Sequence, residues 1–436
     1  MGRSWRFHCL RVCAAALAAA VFASGCGAVA MPAPAHGQGL RVLAFYDPKS
    51  ETPMGAIPPL LVQNRSAVSD LAPLWYHLMA DGSLRDLSTN SLKVWARKHG
   101  IALTPLVINN AGTSAFLLNA KARNAAVTGL AAMLQRENYA GLNIDFELLK
   151  PQARRGLDLF MRSLHQRMMA MHKVLTIDII PAGRRRQAGQ AYDFRGLARN
   201  SDKVVLMTYD AHDDGSTPGP VAPLAWVTKR VKLALSLGIP RSKLVVGLAD
   251  YGYDWPAHSV HAATLGLQQI DAMIAARHIT VQRTADGSPH FTYTVNGVQH
   301  TVWYEDARSI LPKIQLARRL GVGGLAVWMV GFETAAYWHA LRSAAGTQTT
   351  TSGFQPITTP LLTPVRGGKR SPSAAGTGSG SSSSSSAGAP SSSSSSAAAG
   401  APSSVPSASA VSGASSASAS SNSGGSAAPL PVRSSA

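Results

Sequence analysis

Between about Leu40 and Ala345, short apolar runs rich in Val, Ile and Leu alternate with longer stretches whose apolar residues recur at helical spacing. That alternation is expected of β/α units around a parallel sheet. Eight runs predict strands: Arg41–Tyr46, Leu71–Leu78, Ala102–Ile108, Gly141–Phe146, Val174–Ile180, Lys203–Tyr209, Leu244–Leu248 and Gly324–Met329. Helices are predicted between most of them, for example over Ser91–Arg97, Lys121–Gln135, Ala153–Met171, Pro223–Leu237 and Ala307–Leu320. Eight such units in roughly 300 residues match an α/β fold of the (β/α)8 TIM-barrel type, which carries its catalytic groups at the carboxyl ends of the strands. One interval is too long for a simple crossover. From Trp255 to Trp303 a helical stretch, Leu265–Ala276, is followed by Ile279–Arg283, Pro289–Val295 and Gln299–Trp303, the last two separated by Asn296-Gly297. Asn-Gly between β-rich runs marks a hairpin, so a small α+β insertion at about 256–303, after the seventh strand, is expected to wall one side of a cleft.

The fourth apolar run breaks the pattern. Tyr139-Ala140-Gly141-Leu142-Asn143-Ile144-Asp145-Phe146-Glu147 places three polar side chains at two-residue spacing in a segment that should be buried. On a strand, Asn143, Asp145 and Glu147 share one face while Leu142, Ile144 and Phe146 pack on the other. Ionised carboxylates are rarely buried without a partner or a purpose. Alternate residues of a strand lie roughly 7 Å apart, so each charge disfavours the other and the drier carboxyl is expected to keep its proton near neutral pH. A protonated Glu beside an ionised Asp suits glycosidic cleavage, in which an acid protonates the leaving oxygen and negative charge steadies the cationic centre. Spacing alone leaves a second reading open, a strand end whose acids pair with Arg or Lys from neighbouring loops.

Both ends of the chain differ from its middle. Arg3, Arg6 and Arg11 precede an apolar stretch from Val12 to Phe22 that is followed by small residues, the order of an export signal over residues 1–30. Its apolar run is shorter than the roughly 20 residues that span a bilayer. Ala23-Ser24-Gly25-Cys26 is similar to a bacterial lipobox, which would lipidate Cys26, whereas Ala28-Val29-Ala30 offers an ordinary cleavage site. Export to the periplasm, the cell envelope (with or without a lipid anchor) or the exterior is the expectation. Cys9, Cys13 and Cys26 are the three cysteines, so the part from about residue 40 to 345 has no disulfide, thiol nucleophile or thiolate metal site. From about Thr347 the chain turns to Ser, Ala, Gly and Pro, a composition that cannot bury enough apolar surface to offset its conformational entropy. A disordered spacer or stalk is expected there.

Of the net charge of +19, the contributions of Arg3, Arg6 and Arg11 and of Arg366, Lys369, Arg370 and Arg433 lie in these ends, leaving 34 basic against 22 acidic groups, or +12. An exported basic protein is attracted to anionic envelope polymers; plain solubility explains the charge as well. No nucleic-acid-binding motif is present. The histidines, among them His165, His172 and His212, lack metal spacing, and Asp213-Asp214-Gly215 is only a fragment of a calcium loop. Without a Gly-x-Ser-x-Gly elbow, a serine hydrolase has little support. No metal and no cofactor are expected, and the protein is expected to be a monomer.

Read in order, the fourth-strand Gly-Leu-Asn-Ile-Asp-Phe-Glu, Met207-Thr208-Tyr209-Asp210, Gly219-Pro220-Val221-Ala222-Pro223, Gly247-Leu248-Ala249-Asp250-Tyr251-Gly252-Tyr253-Asp254-Trp255, Trp303-Tyr304-Glu305-Asp306-Ala307-Arg308-Ser309, and Gly323-Gly324 leading to Trp328 resemble glycoside hydrolase family 18, the chitinase-like hydrolases. Within it the bacterial spore-cortex and cell-wall glycosidase branch is most similar, and the likeness covers about Leu40 to Leu341. The family pattern Asp-Gly-x-Asp-x-Asp-x-Glu is changed at two places, to Ala140 and Asn143. Asn at position 143 is common in the wall-active branch, but its loss of a carboxylate opens the question of how Asp145 manages its proton.

The resemblance implies a substrate-assisted retaining mechanism. Glu147 would protonate the leaving oxygen while the substrate's 2-acetamido carbonyl attacks the anomeric carbon, Asp145 would orient that group and stabilise the oxazolinium intermediate, and Glu147 would then activate water. Tyr209 and Asp210 match positions that bind and polarise the acetamido group, with Asn143 and Met207 beside them. Trp328 matches the aromatic floor under the sugar before the scissile bond. Tyr46, ending the first strand, has a claim to the same pocket, and Glu305 either lines the cleft or begins the helix that follows. The implied partner is an N-acetylhexosamine polysaccharide or oligosaccharide, either peptidoglycan glycan strands or a chitin-type polymer. The competing reading is a sugar-binding barrel of the envelope with little turnover.

Overall fold

A computed structural model of the chain describes residues 39–48, 57–182, 188–259 and 261–346. The expected export signal, Cys26 and the Ser-rich tail fall outside the described residues. Eight parallel strands form a closed barrel: Val42–Tyr46, Asp70–Leu78, Leu106–Asn109, Gly141–Asp145, Val174–Ile179, Lys203–Leu206, Leu244–Ala249 and Gly324–Val330. Closure comes from the first strand, which pairs with the eighth (Val42 opposite Leu325) on one side and with the second (Leu43 opposite Asp70) on the other. Helices on the outside include Asn90–Lys98, Ala120–Glu137, Arg154–Ala170, Leu224–Ser236, Leu311–Leu320 and Ala335–Ala345. The chain is a (β/α)8 barrel, as its hydrophobic pattern predicts.

The strands read as continuous apolar runs because both of their faces are covered. Leu43, Phe45, Leu106, Ile108, Val205 and Val245 fill the inside of the barrel. Val42, Ala44, Leu142, Ile144, Leu175 and Ile177 belong to the larger cluster that includes the helices. Truncating one of the buried Leu or Ile side chains among these to Ala would cost about 2–5 kcal/mol, so the barrel end that carries the polar groups rests on a closely packed wall.

Several boundaries differ from the sequence reading, each for a local reason. The third predicted strand splits into Ala102–Leu103 and Leu106–Asn109, with Pro105, which cannot donate to a ladder, at the break. The sixth ends at Leu206, and Met207–Asp210 leaves the sheet. The helix expected from Ala307 begins at Leu311. Before it, the Asp306 carboxylate accepts the Arg308 and Ser309 amides at 3.0 and 2.9 Å and holds a turn.

The insertion after the seventh strand is a five-stranded antiparallel sheet in the order Ala263–Gly266, Tyr251–Pro256, Val298–Tyr304, Pro289–Val295, Gln282–Arg283, with the helix Leu267–Arg277. Its first strand starts at Tyr251, ahead of the expected boundary near 256; the period-two sequence Tyr251-Gly252-Tyr253-Asp254-Trp255 is itself the strand. Asn296 and Gly297 both take positive φ, 52° and 79°, as a type I′ hairpin turn requires.

Candidate active site

The fourth strand sets Leu106 opposite Asn143 on one side and Asn143 opposite Thr176 on the other. Alternation sends Leu142, Ile144 and Phe146 into the apolar cluster and Asn143 and Asp145 to the opposite face, where they are 0% and 3% exposed. Glu147 stands two residues past Asp145, the strand's last residue, and is half-buried at the carboxyl end of the barrel.

The Glu147 backbone is gripped from the third strand. The Glu147 N–H donates to Asn109 Oδ1 at 2.9 Å, and Asn109 Nδ2 donates to the Glu147 carbonyl at 2.7 Å and to the Thr113 carbonyl at 3.1 Å. Tyr192 adds a bond from its hydroxyl to the Phe146 carbonyl, 2.7 Å long. Next in the chain, Leu148 takes φ 53°, a conformation unusual for a branched side chain. Main chain on both sides of the Glu147 side chain is thereby fixed.

A fourth polar group, absent from the sequence reading, joins this set. Asp178 lies on the fifth strand, 2% exposed, one step past the paired residues Ile144 and Ile177. Burial pushes its carboxyl well above the usual range; the charge of Asp145 adds to the rise, the Asn143 amide opposes it and Glu147 contributes last. Of the carboxyls in this set, Asp178 is the one whose proton affinity burial and the Asp145 charge raise. Burial together with Glu147, Asp145 and Asp178 raises the Tyr192 hydroxyl, and burial together with Asp178, Asp210, Asp145 and Glu147 raises that of Tyr209. Both phenols stay protonated and can donate.

Tyr209 and Asp210 reach the site from the segment after the sixth strand. The Thr208 hydroxyl anchors that segment to the Gly247 carbonyl at 2.6 Å. A side chain at Gly247 would place its Cβ 2.9 Å from Tyr209 Cε1, so a glycine there makes room for the phenol. Asp210 has φ 56°, and its Oδ1 accepts two hydroxyls from the insertion, those of Tyr251 and, at 2.8 Å, Tyr253. The Tyr209 and Tyr251 rings meet edge to face with centroids 6.2 Å apart.

Among the remaining sequence candidates, Met207 is buried beside Tyr209, and Trp328, half-exposed near the end of the eighth strand, tilts against Phe45 at 5.2 Å. Two candidates are almost fully covered. Tyr46 is 2% exposed and packs in the cluster with Val42 and Ala44. Glu305, 1% exposed, forms a buried ion pair with Lys313 and accepts the Ser309 hydroxyl at 2.6 Å. Its role is to hold the start of the following helix, and burial still raises its carboxyl despite the Lys313 charge. Sequence reasoning missed Asn109, Asp178, Tyr192 and Tyr251. The signal for Asp178 was present as one acid in Val174-Leu175-Thr176-Ile177-Asp178-Ile179.

Chemically, the arrangement offers a carboxyl of raised proton affinity beside a second one, a third carboxyl at the rim and a phenol donor, all converging at the carboxyl ends of strands four to six. Such a set can exchange protons with a substrate and stabilise positive charge.

A family profile described as "Glycosyl hydrolases family 18" matches residues 106–333. The cortical fragment-lytic enzyme of Bacillus cereus is 28% identical over 288 residues, covering 62% of this chain and 66% of that protein. The chain thus spans slightly under two thirds of that relative's length. Among solved structures, the chitinase from Chromobacterium violaceum ATCC 12472 superposes with a TM-score of 0.65 at 25% identity, over 71% of this chain and 100% of that one. The Bacillus cereus spore cortex-lytic enzyme SleL does so at 0.62 and 25%, over 70% and 74%.

Proposed function

The chain belongs to glycosyl hydrolase family 18 and is a glycoside hydrolase, and we propose that it is an exported enzyme that cuts β-linked N-acetylhexosamine polymers by substrate-assisted retention. Peptidoglycan glycan strands are the favoured substrate and chitin-type oligosaccharides the second, in keeping with relatives named for cortical fragments and for chitin.

The observation that carries this reading is the convergence of Asp145, Asp178 and Tyr209 below Glu147, with Glu147 held by its backbone. Glu147 protonates the leaving glycosidic oxygen as the substrate's acetamido carbonyl oxygen bonds to the anomeric carbon and the glycosidic bond breaks. Asp145 accepts the acetamido N–H and steadies the oxazolinium, with Tyr209 donating to the acetamido oxygen. Glu147, now ionised, takes a proton from water, whose oxygen opens the ring. Asp178 answers the question raised by Asn143: the neighbouring strand, in place of the same strand, supplies the carboxyl that shares a proton with Asp145. Two carboxyls this close cannot both ionise cheaply. Asp210 and Trp328 bind the sugar beside the cleaved bond.

The test is reducing-end release and product mass on peptidoglycan glycan strands and chitin oligomers in parallel, with Glu147→Gln as control. General-acid loss removes about 10²–10⁴-fold of rate, so the variant should bind and scarcely turn over. Wild-type rates in Glu147→Gln would overturn the mechanism, and binding without cleavage by the parent chain would favour a sugar-binding barrel.

A further inference from the structure

The strands begin and the helices end at the face opposite Glu147, and that face gathers basic side chains. Last turns of the surrounding helices hold Arg97 and Lys98, Arg199, and Arg318 and Arg319; the starts of strands add Lys173, Lys203 and Lys243. Cations at helix carboxyl termini interact favourably with the dipole. Lys243 bonding to the Ala198 and Ser201 carbonyls at 2.7 Å, and Arg318 to that of Ala344 at 2.6 Å, serve this end. A carbonyl partner leaves the cation's charge in place, however. Among the described residues the acids at this end include Asp70 and Asp202, both fully buried, Glu137, bound by Lys93 at 2.8 Å and Arg136 at 2.9 Å, and Asp86, 4.0 Å from Arg136.

In one sector the basic groups surround a cavity of about 370 Å³ lined by Lys93, Arg97, Lys173, Glu137 and Tyr139. Lys93 is committed to Glu137, and Lys173 Nζ donates to Asn138 Oδ1 at 2.9 Å. Burial alone, with no acid beside it, lowers the Lys173 amine. Arg97 is exposed at the rim. Two positive groups therefore face a concavity large enough for a tetrahedral or planar anion, with one acid already neutralised.

We propose that this pocket seats a phosphate or carboxylate group of a linear polyanion, and that the basic face around it follows the polymer while the opposite end of the barrel works on a glycan. A bilayer surface fits less well. It would be met by clustered exposed apolar side chains, whereas Val94, Leu118, Leu148, Leu237 and Val298 lie on separate elements.

The experiment uses the full chain, labelled inorganic polyphosphate of defined length as probe, and vesicles of equal parts phosphatidylglycerol and phosphatidylcholine as the alternative. Affinity for polyphosphate should fall steeply between about 50 and about 200 mM salt, as expected when counterions are released. Arg97→Glu with Lys173→Glu should weaken it by about tenfold or more, with the melting temperature kept as the folding check; Arg97→Gln with Lys173→Gln serves if the reversal misfolds. Lys121→Glu with Arg155→Glu changes the net charge equally at the exposed starts of helices on the catalytic end and should weaken it less than threefold (~0.6 kcal/mol). Equal losses in both pairs would assign binding to overall charge and overturn the pocket. So would absence of polyphosphate binding, or tighter binding to vesicles that is lost in the pocket variant. Because the readout is binding, these outcomes stand whether or not the chain cuts glycans.

Discussion

Asn109 and Glu147 are joined by both ends of one side-chain amide: Asn109 Oδ1 accepts the Glu147 N–H at 2.9 Å while Asn109 Nδ2 donates to the Glu147 carbonyl at 2.7 Å. The third strand thereby sets the main-chain position from which the fourth strand's acid projects. Removing the amide leaves a donor and an acceptor unpaired next to a half-buried residue, at a cost of about 1–3 kcal/mol for each group that water cannot reach.

Asn109→Ala should accordingly lower kcat by about 10–100-fold, the loss that a displacement near 1 Å inflicts on an aligned catalytic group, with KM changed little. Asn109→Asp keeps the acceptor and loses the donor, so it should fall between the two. Steady-state kinetics on a defined oligosaccharide decides the matter. A rise in KM at constant kcat would mean that Asn109 shapes the binding cleft and leaves Glu147 in place.

Asp178 makes a prediction with a definite sign. Burial and the Asp145 charge hold its carboxyl well above the ordinary value of 3.8 that applies when unfolded. Over the interval between those two values the folded protein binds the extra proton, so stability falls as pH rises through it. Asp178→Asn removes that penalty. The variant should melt at the same temperature as the parent below about pH 4 and at a higher one near neutrality, while its hydrolysis drops because Asp145 loses its proton-sharing neighbour. Thermal melts across pH 4–8 test this, and a melting difference independent of pH would rule out the protonated form.

The sequence made the fourth strand legible because alternation there is self-contained: Asn143, Asp145 and Glu147 announce their shared face without any knowledge of neighbours. Asp178 and Asn109 carry no such local sign. Each becomes meaningful only through register across a parallel pair, Ile144 with Ile177 on one side and Leu106 with Asn143 on the other, and a sequence does not display register between segments joined by a helix. Glu305 misled for the same reason. Its partner Lys313 stands two helical turns away across a turn whose helix starts later than the pattern suggests. Tyr46 read as a strand-end aromatic, and only the packing around it reveals that the ring is covered.

The Glu305 and Lys313 pair is buried at 1% and 3% exposure, so breaking it from one side is costly. Lys313→Met strands a charge and should destabilise the fold by about 3–5 kcal/mol. Pairing it with Glu305→Leu replaces both ions by apolar groups and should recover most of that loss. Denaturant midpoints supply the first measurement and kcat/KM of the folded fraction the second. Unchanged kcat/KM is expected in both variants; a large drop in the double variant would return Glu305 to the substrate cleft.

The insertion's sheet has two faces with different duties, and alternation along Tyr251–Pro256 separates them. Tyr251 and Tyr253 point to Asp210, which accepts both hydroxyls on one oxygen, whereas Asp254 points the other way, where it accepts the Tyr293 hydroxyl at 2.6 Å and meets His300 at 2.9 Å. If Asp210 binds the sugar, its orientation depends on the first face and is indifferent to the second. A hydrogen bond to a charged group contributes about 1.5–3 kcal/mol, so Tyr251→Phe should reduce kcat/KM by about 10–100-fold through a less constrained Asp210. Tyr293→Phe, on the far face of the same sheet, should lower the melting temperature and leave kcat/KM within about twofold. Equal activity losses in the two variants would mean that the insertion acts as a single packed body, and that the hydroxyl pair on Asp210 has no separate part in binding.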